Sequence, residues 1–133
     1  MTPTNMPAKL DLLTLMSAIA TAEGFWVDGS VPQRNNNPGD LDFASQTGAV
    51  ASGRFAQFDS VGRGIAASLR QILKDIQSGA TLRTLIYTWA PPSDGNATAT
   101  YLAETMRRIQ SASGLVIDPD RKLWEYLVLE KID

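Results

Sequence analysis

The helical periodicity of this 133-residue chain breaks off over one long stretch, between Phe25 and Phe58. Glycine and proline recur throughout the stretch, and both residues favour turns over regular helix. Within it, alternating or β-branched segments predict short strands over 41–44, 54–58 and 48–51. This pattern constrains the chain to a mainly helical domain with a small loop-and-short-strand insertion after its first helix.

Apolar residues at three- and four-residue steps predict helices on both sides of this stretch. The first helix covers 10–23, and Gly24 stands where a glycine commonly ends a helix. Four more helices are predicted over 60–78 behind an Asp59 or Ser60 cap, over 81–89, over 97–111, and over 120–131 behind Asp118 and Pro119. The fold class expected is mainly α (α+β), with about five helices in a single domain over 1–133.

The composition excludes several kinds of chemistry. Hydrophobic residues make up 44% and charged residues 20%, as in ordinary globular proteins. There is no histidine and no cysteine, so histidine triads, disulfides and thiolate or imidazole metal sites are impossible. Acid–base work must fall to carboxylates, tyrosine or lysine, and we expect no metal ion and no cofactor. A net charge of −2 gives no general attraction to nucleic acid.

The first residues and the hydropathy of the chain bear on its location. The segment 1–9 lacks a basic region followed by an apolar run, so we expect no signal peptide. No segment approaches the roughly 20 apolar residues that a membrane-spanning helix needs. We therefore expect no membrane insertion.

Glu23 is the first candidate for catalysis. It ends the first predicted helix, is followed by Phe25 and Trp26, and faces the irregular stretch. The negative end of the helix dipole and desolvation both disfavour a charged carboxylate, so its pKa should be raised. A carboxyl group that stays protonated near neutral pH can act as a general acid. The alternative is an ordinary solvated glutamate.

The irregular stretch offers further polar candidates. Asp40 and Asp42 are the candidates for a second catalytic carboxylate, whereas Asp28, beside a glycine, is better explained as a turn residue. Three consecutive asparagines, 35–37, can order a tight loop or bind a polar ligand. A structural role is the better interpretation for at least two of them, and Asn37 is the one retained as a substrate-binding candidate.

Aromatic residues surround a double proline later in the chain. Tyr87 and Trp89 precede Pro91-Pro92, and Asn96 and Tyr101 follow it. Such a cluster can form a wall on which sugar rings stack, although aromatic residues at helix ends also often belong to the core. The residues alone leave these two interpretations equally open.

Taken together, these motifs resemble lysozyme-like peptidoglycan-cleaving proteins of bacteriophages and prophages, related to the soluble lytic transglycosylases of the lysozyme superfamily. The Asn-Asn-Asn-Pro-Gly run is the most specific of them. The matching segments lie, in order, within 18–25, 32–41, 53–66 and 87–101. The chain departs from the family pattern at Trp89-Ala90, where Tyr-Asn is usual, and at Asp40, where asparagine is commoner.

The resemblance implies a lysozyme-like fold and a role for each candidate residue. Glu23 would protonate the glycosidic oxygen between N-acetylmuramic acid and N-acetylglucosamine. Tyr101 would face this acid from a later helix. The substrate-binding residues would be Tyr101, Trp89, Tyr87, Asn37 and Asn96. With one carboxylate the product would be a 1,6-anhydro sugar. A second carboxylate about 6.5–9.5 Å away would allow inverting hydrolysis instead.

The expected function is therefore cleavage of peptidoglycan glycan strands, by a lytic transglycosylase or a muramidase. The enzyme would be made in the bacterial cytoplasm and act on the wall after phage delivery, holin release or secretion, with other virion or lysis proteins as further partners. The alternative is a non-catalytic virion or wall-binding protein that keeps the fold. A helical module that binds a protein partner fits less well, because such a surface has no use for an asparagine-rich loop.

Overall fold

The computed structural model describes residues 9–127, with five α-helices and one antiparallel β-hairpin in that range. In chain order they are α1 Leu12–Ala22, α2 Val31–Arg34, β1 Val50–Ser52, β2 Phe55–Gln57, α3 Val61–Gln77, α4 Leu82–Trp89 and α5 Thr98–Ser113. Single 3-10 turns cover Phe43–Ser45, Pro92–Asp94 and Leu123–Tyr126. The chain is mainly helical with a small two-stranded insertion after its first helix, as predicted.

Capping residues explain where three of the helices begin or end. The Asp11 side chain accepts a hydrogen bond from the Thr14 N–H at 2.8 Å, and Gly24 leaves α1 with a left-handed φ of 81°. Ser60 caps α3, and Thr81 forms a reciprocal capping box with Thr84 at the start of α4. The predicted bounds of α1, α3, α4 and α5 are confirmed to within two residues.

The insertion differs in detail from the sequence prediction. The helix α2 was not predicted, and the strand predicted over 41–44 is wrong, since Phe43–Ser45 form a 3-10 turn. The segment pairs with β2 only through an isolated Asp42–Phe55 bridge, with backbone bonds from Ala56 N–H to Leu41 O and from Phe43 N–H to Arg54 O, before the 3-10 turn begins. The hairpin pairs Val50 with Gln57, so the predictions over 48–51 and 54–58 are confirmed with shifted ends.

The helix predicted over 120–131 is wrong within the described residues, where Leu123–Tyr126 form only a 3-10 turn. Backbone groups of this segment bond to distant residues instead: Leu123 N–H donates to Ala80 O, and Tyr126 O accepts from Leu10 N–H. Leu10 and Leu127 form a parallel bridge. The remainder of the predicted helix, 128–131, lies outside the described residues.

The core forms around α1, which packs against α5 and α3, while α4 packs against α5. Its fully buried apolar side chains come from the four longer helices, α1, α3, α4 and α5, and from the segments that flank them: Leu10, Leu15, Ile19, Ile72, Ile76, Leu82, Leu85, Ile86, Ile109 and Leu123. A smaller apolar cluster under the hairpin joins Leu41, Ala56, Phe58 and Ala67, and Trp89 packs against both clusters.

The three asparagines hold the loop against the hairpin and α3. Asn35 O accepts from Phe58 N–H, and Asn36 Nδ2 donates to Phe58 O at 3.0 Å. Asn37 is fully buried and also donates to Ala56 O at 2.9 Å. Asn36 lies so close to α3 that a Cβ on Gly64 would overlap its carbonyl group. The structural role predicted for at least two asparagines is confirmed.

No helix within residues 9–127 combines the length and the apolar composition that a bilayer-spanning segment needs.

Candidate active site

A cleft of about 510 Å³ opens between the insertion and the helical part of the fold. Glu23 contributes the end of α1, the insertion supplies one wall, and α3, α4 and the segment after α4 supply the other. The lining residues are Glu23, Gly39, Asp40, Leu41, Asp42, Arg54, Phe55, Gln71, Asp75, Thr88, Trp89, Ala90, Pro91, Asp94 and Asn96. Five of them are acidic and one, Arg54, is basic.

A larger groove, of about 920 Å³, runs along α1 and α5 past Leu13, Ser17, Arg107 and Arg108. Arg107 already forms an ion pair with Glu104 at 2.6 Å. The larger volume of this groove does not by itself identify it as the functional site. The smaller cleft is the better candidate because it brings together carboxyl groups with perturbed acidity.

Glu23 stands at the C-cap of α1, where its backbone N–H bonds to Ile19 O and its side chain reaches the cleft. Burial raises the pKa of Glu23 to about 7. The hydrogen bond from Tyr101 acts in the opposite direction, whereas the neighbouring Asp40 raises the pKa further. Of the two expected aromatic neighbours, Phe25 is buried in the core and Trp26 is 63% exposed, and neither lines the cleft.

Tyr101 projects from α5 beneath Glu23. Its hydroxyl donates to Glu23 Oε2 at 2.6 Å, the short distance typical of a charge-assisted hydrogen bond. Burial raises the pKa of Tyr101 above its ordinary value, and the Glu23 charge raises it further. The phenol therefore stays a donor, and it orients the carboxyl group from behind the cleft.

Asp40 is the second carboxyl group in the cleft, and it lies close enough to Glu23 for each to shift the pKa of the other. Burial raises the pKa of Asp40 to about 6, and the charge of Asp42 contributes in the same direction. The charge of Arg54 and the hydrogen bond with Glu23 both act to lower it. Because the two carboxyl groups interact this closely, they titrate as a pair.

The backbone around Asp40 is held from several sides. Asp40 adopts a left-handed φ of 52°, which aspartate tolerates better than most residues. Its N–H donates to Asn37 O at 2.9 Å, and the Trp89 indole donates to Gly39 O at 2.8 Å. A Cβ at Gly39 would lie 2.7 Å from the Trp89 ring, so the loop fits closely against α4. Asp40 is therefore placed by the loop and by Trp89 together.

Arg54 links the two walls of the cleft. Its guanidinium contacts Asp42 through two hydrogen bonds, at 3.2 and 3.3 Å, and Asp94 through one at 3.3 Å. Asp42 lies on the loop, and Asp94 ends the turn that follows the double proline. All three side chains are about half exposed, so solvent screens these ion pairs and they contribute little to stability.

The predicted site residues separate into two groups. Glu23, Asp40, Asp42, Trp89 and Asn96 line the cleft, and Tyr101 supports Glu23 from below. Asn96 also donates to Pro91 O at 3.0 Å.

The other two predicted residues do not line the cleft. Asn37 is fully buried and uses its amide on the backbone of Leu41 and Ala56. Tyr87 lies two residues before Trp89 on α4, about 200° away around the helix, so the two rings cannot share a face.

Several cleft residues were not candidates from the sequence. Arg54, Asp94, Asp75 and Gln71 all reach it, although Asp94 and Asp75 are far from each other and from Glu23 in the chain. Asp94 comes directly after Pro91-Pro92-Ser93, which is the one local signal that a turn would hold it near the predicted aromatic wall. Within residues 9–127, no cluster of three acidic side chains has the geometry to hold a metal ion.

Comparisons with models of known protein families, with curated proteins and with solved structures found no match to this chain. The function proposed below therefore rests on the geometry of the cleft and on the motifs of the sequence.

Proposed function

We propose that this protein cleaves peptidoglycan at the β-1,4 bond between N-acetylmuramic acid and N-acetylglucosamine, with Glu23 as general acid and then general base. One observation carries the proposal: the Glu23 carboxyl lines a cleft and has a pKa raised to about 7. Such a group is protonated in a large fraction of molecules at neutral pH. It can therefore donate a proton and later accept one without a strong driving force against either step.

The reaction uses one proton and no co-reactant other than the glycan itself. The Glu23 O–H bond breaks as the proton moves to the glycosidic oxygen, and the electron pair of the C1–O bond leaves with that oxygen. The 6-hydroxyl of the muramic acid residue attacks C1 and gives its proton to the Glu23 carboxylate. The product is a 1,6-anhydro end, and Glu23 is again protonated.

The position of Asp40 favours this transglycosylase route over two-carboxylate hydrolysis. Retaining glycosidases place their carboxyl groups about 5–5.5 Å apart, and inverting ones about 6.5–9.5 Å apart, with space for substrate or water between them. Here Asp40 and Glu23 each shift the pKa of the other, which favours an adjacent pair over two carboxyl groups separated by substrate or water. Asp42 is turned toward Arg54 by two hydrogen bonds.

The cleft walls suit a sugar polymer. Gln71, Thr88 and Asn96 supply amide and hydroxyl groups of the kind that bind sugar hydroxyls and acetamido groups. Trp89 adds a partly exposed aromatic surface: its N–H is bonded to Gly39, one part of its ring packs against the two apolar clusters, and the residue lines the cleft. Peptidoglycan glycan strands are the proposed partner, and phage virion or lysis proteins are the proposed route to the wall.

Wall clearing with purified sacculi tests the proposal directly. Wild type and the surface control Glu125→Gln, whose residue forms an exposed ion pair with Arg121, should clear sacculi at the same rate. Glu23→Gln should lose activity by at least a hundredfold while keeping its circular dichroism spectrum, since a general acid contributes about 10²–10⁴ in rate. Mass spectrometry of the fragments should find 1,6-anhydro ends.

Two results would overturn the proposal. Equal clearing by Glu23→Gln and wild type would remove Glu23 from the reaction. Sacculus binding by a wild-type protein that clears nothing would instead favour the non-catalytic wall-binding function, with the cleft used for recognition alone. Reducing ends in place of anhydro ends would keep the enzyme but replace transglycosylation by hydrolysis.

A further inference from the structure

One buried oxygen in the cleft has no donor. Asp40 Oδ1 is shielded from solvent, and within residues 9–127 no N–H or O–H group bonds to it. A carboxylate oxygen in this position is costly unless a proton reaches it. The side chain that Asp40 does meet is the carboxyl group of Glu23, which can serve as a donor only in its protonated form.

We propose that Glu23 and Asp40 form a carboxyl dyad that shares one proton, in which Asp40 is the positioning residue that keeps Glu23 in its acid form. The catalytic consequence of this dyad rests on the proposed function, but the sharing of the proton does not. The dyad would set the pH dependence of the cleft through one pair of side chains, Glu23 and Asp40.

Tyr101 decides which oxygen of Glu23 carries the proton. Its hydroxyl stays protonated and donates to Oε2 at 2.6 Å, so Oε2 is occupied as an acceptor. The proton of the acid form is therefore assigned to Oε1. The Glu23 O–H then donates to the Asp40 carboxylate, and this hydrogen bond supplies the donor that the buried Asp40 oxygen otherwise lacks. One proton thus completes the hydrogen bonds of two groups that would otherwise repel each other.

The other charged groups around the pair fit this assignment. On the loop, Asp42 disfavours a second negative charge at Asp40, and on the hairpin Arg54 partly compensates for it. On α5 the neighbour is the neutral phenol of Tyr101. Asp75 on α3 and Asp94 after α4 line the same cleft and add negative charge to it. The surroundings therefore favour one proton on the dyad over none.

The dyad also gives the reaction a defined proton cycle. With one proton it carries a charge of −1, and transfer of that proton to the glycosidic oxygen leaves both carboxylates ionised at −2. The repulsion between them favours recapture of a proton from the attacking hydroxyl, which restores the starting state. Activity should therefore be highest when the pair binds one proton, and should fall on either side of that range.

Carboxyl ¹³C NMR titration tests the shared proton without any reference to activity. In wild type, Glu23 should titrate near pH 7 and show a second inflection from Asp40. In Asp40→Asn, the charge is gone and an amide donor faces Glu23, so Glu23 should titrate lower by about one pH unit. Asparagine also tolerates the left-handed backbone of this position, so the loop should keep its conformation.

Asp94→Asn is the matched control, because it removes a carboxylate that lines the same cleft but acts on the pKa of neither Glu23 nor Asp40. It should leave the Glu23 titration within about 0.3 pH unit of wild type. In wall clearing, Asp40→Asn should move the alkaline limb of the pH profile to lower pH and reduce the rate at pH 7 about fivefold, as the protonated fraction of Glu23 falls.

The two halves of the proposal fail in different ways. An unchanged Glu23 titration in Asp40→Asn would overturn the dyad, and so would an equal shift in Asp94→Asn, which would indicate the general charge of the cleft. A shifted titration in a protein that clears no sacculi would support the dyad and overturn the glycosidase function alone.

Discussion

Replacing Gly64 by alanine should destabilise this protein, although alanine is the better helix former. The added Cβ would overlap Asn36 O and lie 2.9 Å from the Asn36 carbonyl carbon and 3.0 Å from Pro38 Cδ. These are backbone and ring atoms in a loop held by hydrogen bonds, so they cannot rotate aside as a flexible side chain would. Gly62 provides the matched control, since a Cβ there would meet only Ser60 Oγ, at 4.0 Å.

The magnitude follows from two opposing effects. Alanine gains up to about 1 kcal/mol over glycine in a helix, and both glycines lie in the first turns of α3. Overpacking of a closely fitted site costs about 1–3 kcal/mol and sometimes more. Gly62→Ala should therefore be neutral or slightly stabilising, and Gly64→Ala should be destabilised by about 1–2 kcal/mol. The gain in helix propensity is common to both, so the two variants should differ by the overpacking cost, about 1–3 kcal/mol.

Urea denaturation followed by circular dichroism measures this difference as a shift in midpoint at constant slope. Thermal unfolding should separate the two variants by roughly 10 °C. If Gly64→Ala unfolds at the same urea concentration as Gly62→Ala, or at a higher one, then the loop does not press against α3 as described. The position of Asp40, four residues beyond Asn36, would then lose its explanation.

Three further predictions follow from the same contacts. Glu23→Gln should be more stable than wild type by about 1–3 kcal/mol at pH 8 but nearly equal at pH 4. An acid whose pKa is raised in the folded state makes the folded protein less stable as the pH rises through that pKa. Equal stability of the two proteins at both pH values would contradict the burial of this carboxyl group. Asn37→Ala should lower the free energy of unfolding by about 2–4 kcal/mol, since it leaves backbone groups of Leu41 and Ala56 without their partner; a urea midpoint close to wild type would refute this. Trp89→Phe keeps an aromatic ring in the cleft but removes the hydrogen bond to Gly39 O, so it should lower the free energy of unfolding by about 1 kcal/mol and reduce the rate of wall clearing. An unchanged clearing rate would show that Trp89 does not position the loop for activity.

The four longer helices could be predicted because their signals are local. Each carries an apolar stripe over two or more turns, and three of them begin at a side chain that caps the backbone, such as Ser60 for α3. The segment after Pro119 has a similar apolar pattern, but the helix predicted there is wrong within the described residues. Its Leu123 N–H donates instead to Ala80 O, 43 positions away in the chain. A helix of four residues such as α2 is too short to show any periodicity.

The candidate site was only partly predictable for the same reason. Glu23 was identifiable because the end of a helix is a local feature. Its pairing with Asp40 depends on a left-handed backbone angle and on the Trp89 indole, which bonds Gly39 across 50 positions of sequence. The contact of Arg54 with Asp94 spans 40 positions. No spacing rule of helix or strand relates residues so far apart, so these contacts could be found only in the folded chain.

The bridge between Leu10 and Leu127 has a consequence for how this domain could be joined to other proteins. It brings the chain into and out of the described region side by side, at the start of α1. Glu23 is at the other end of the same helix, on the order of 16 Å away for eleven residues. Both ends of the described region thus lie at the opposite end of α1 from Glu23. The domain therefore has the geometry of a module that can be placed within a loop of a larger protein, with both connections made at one spot.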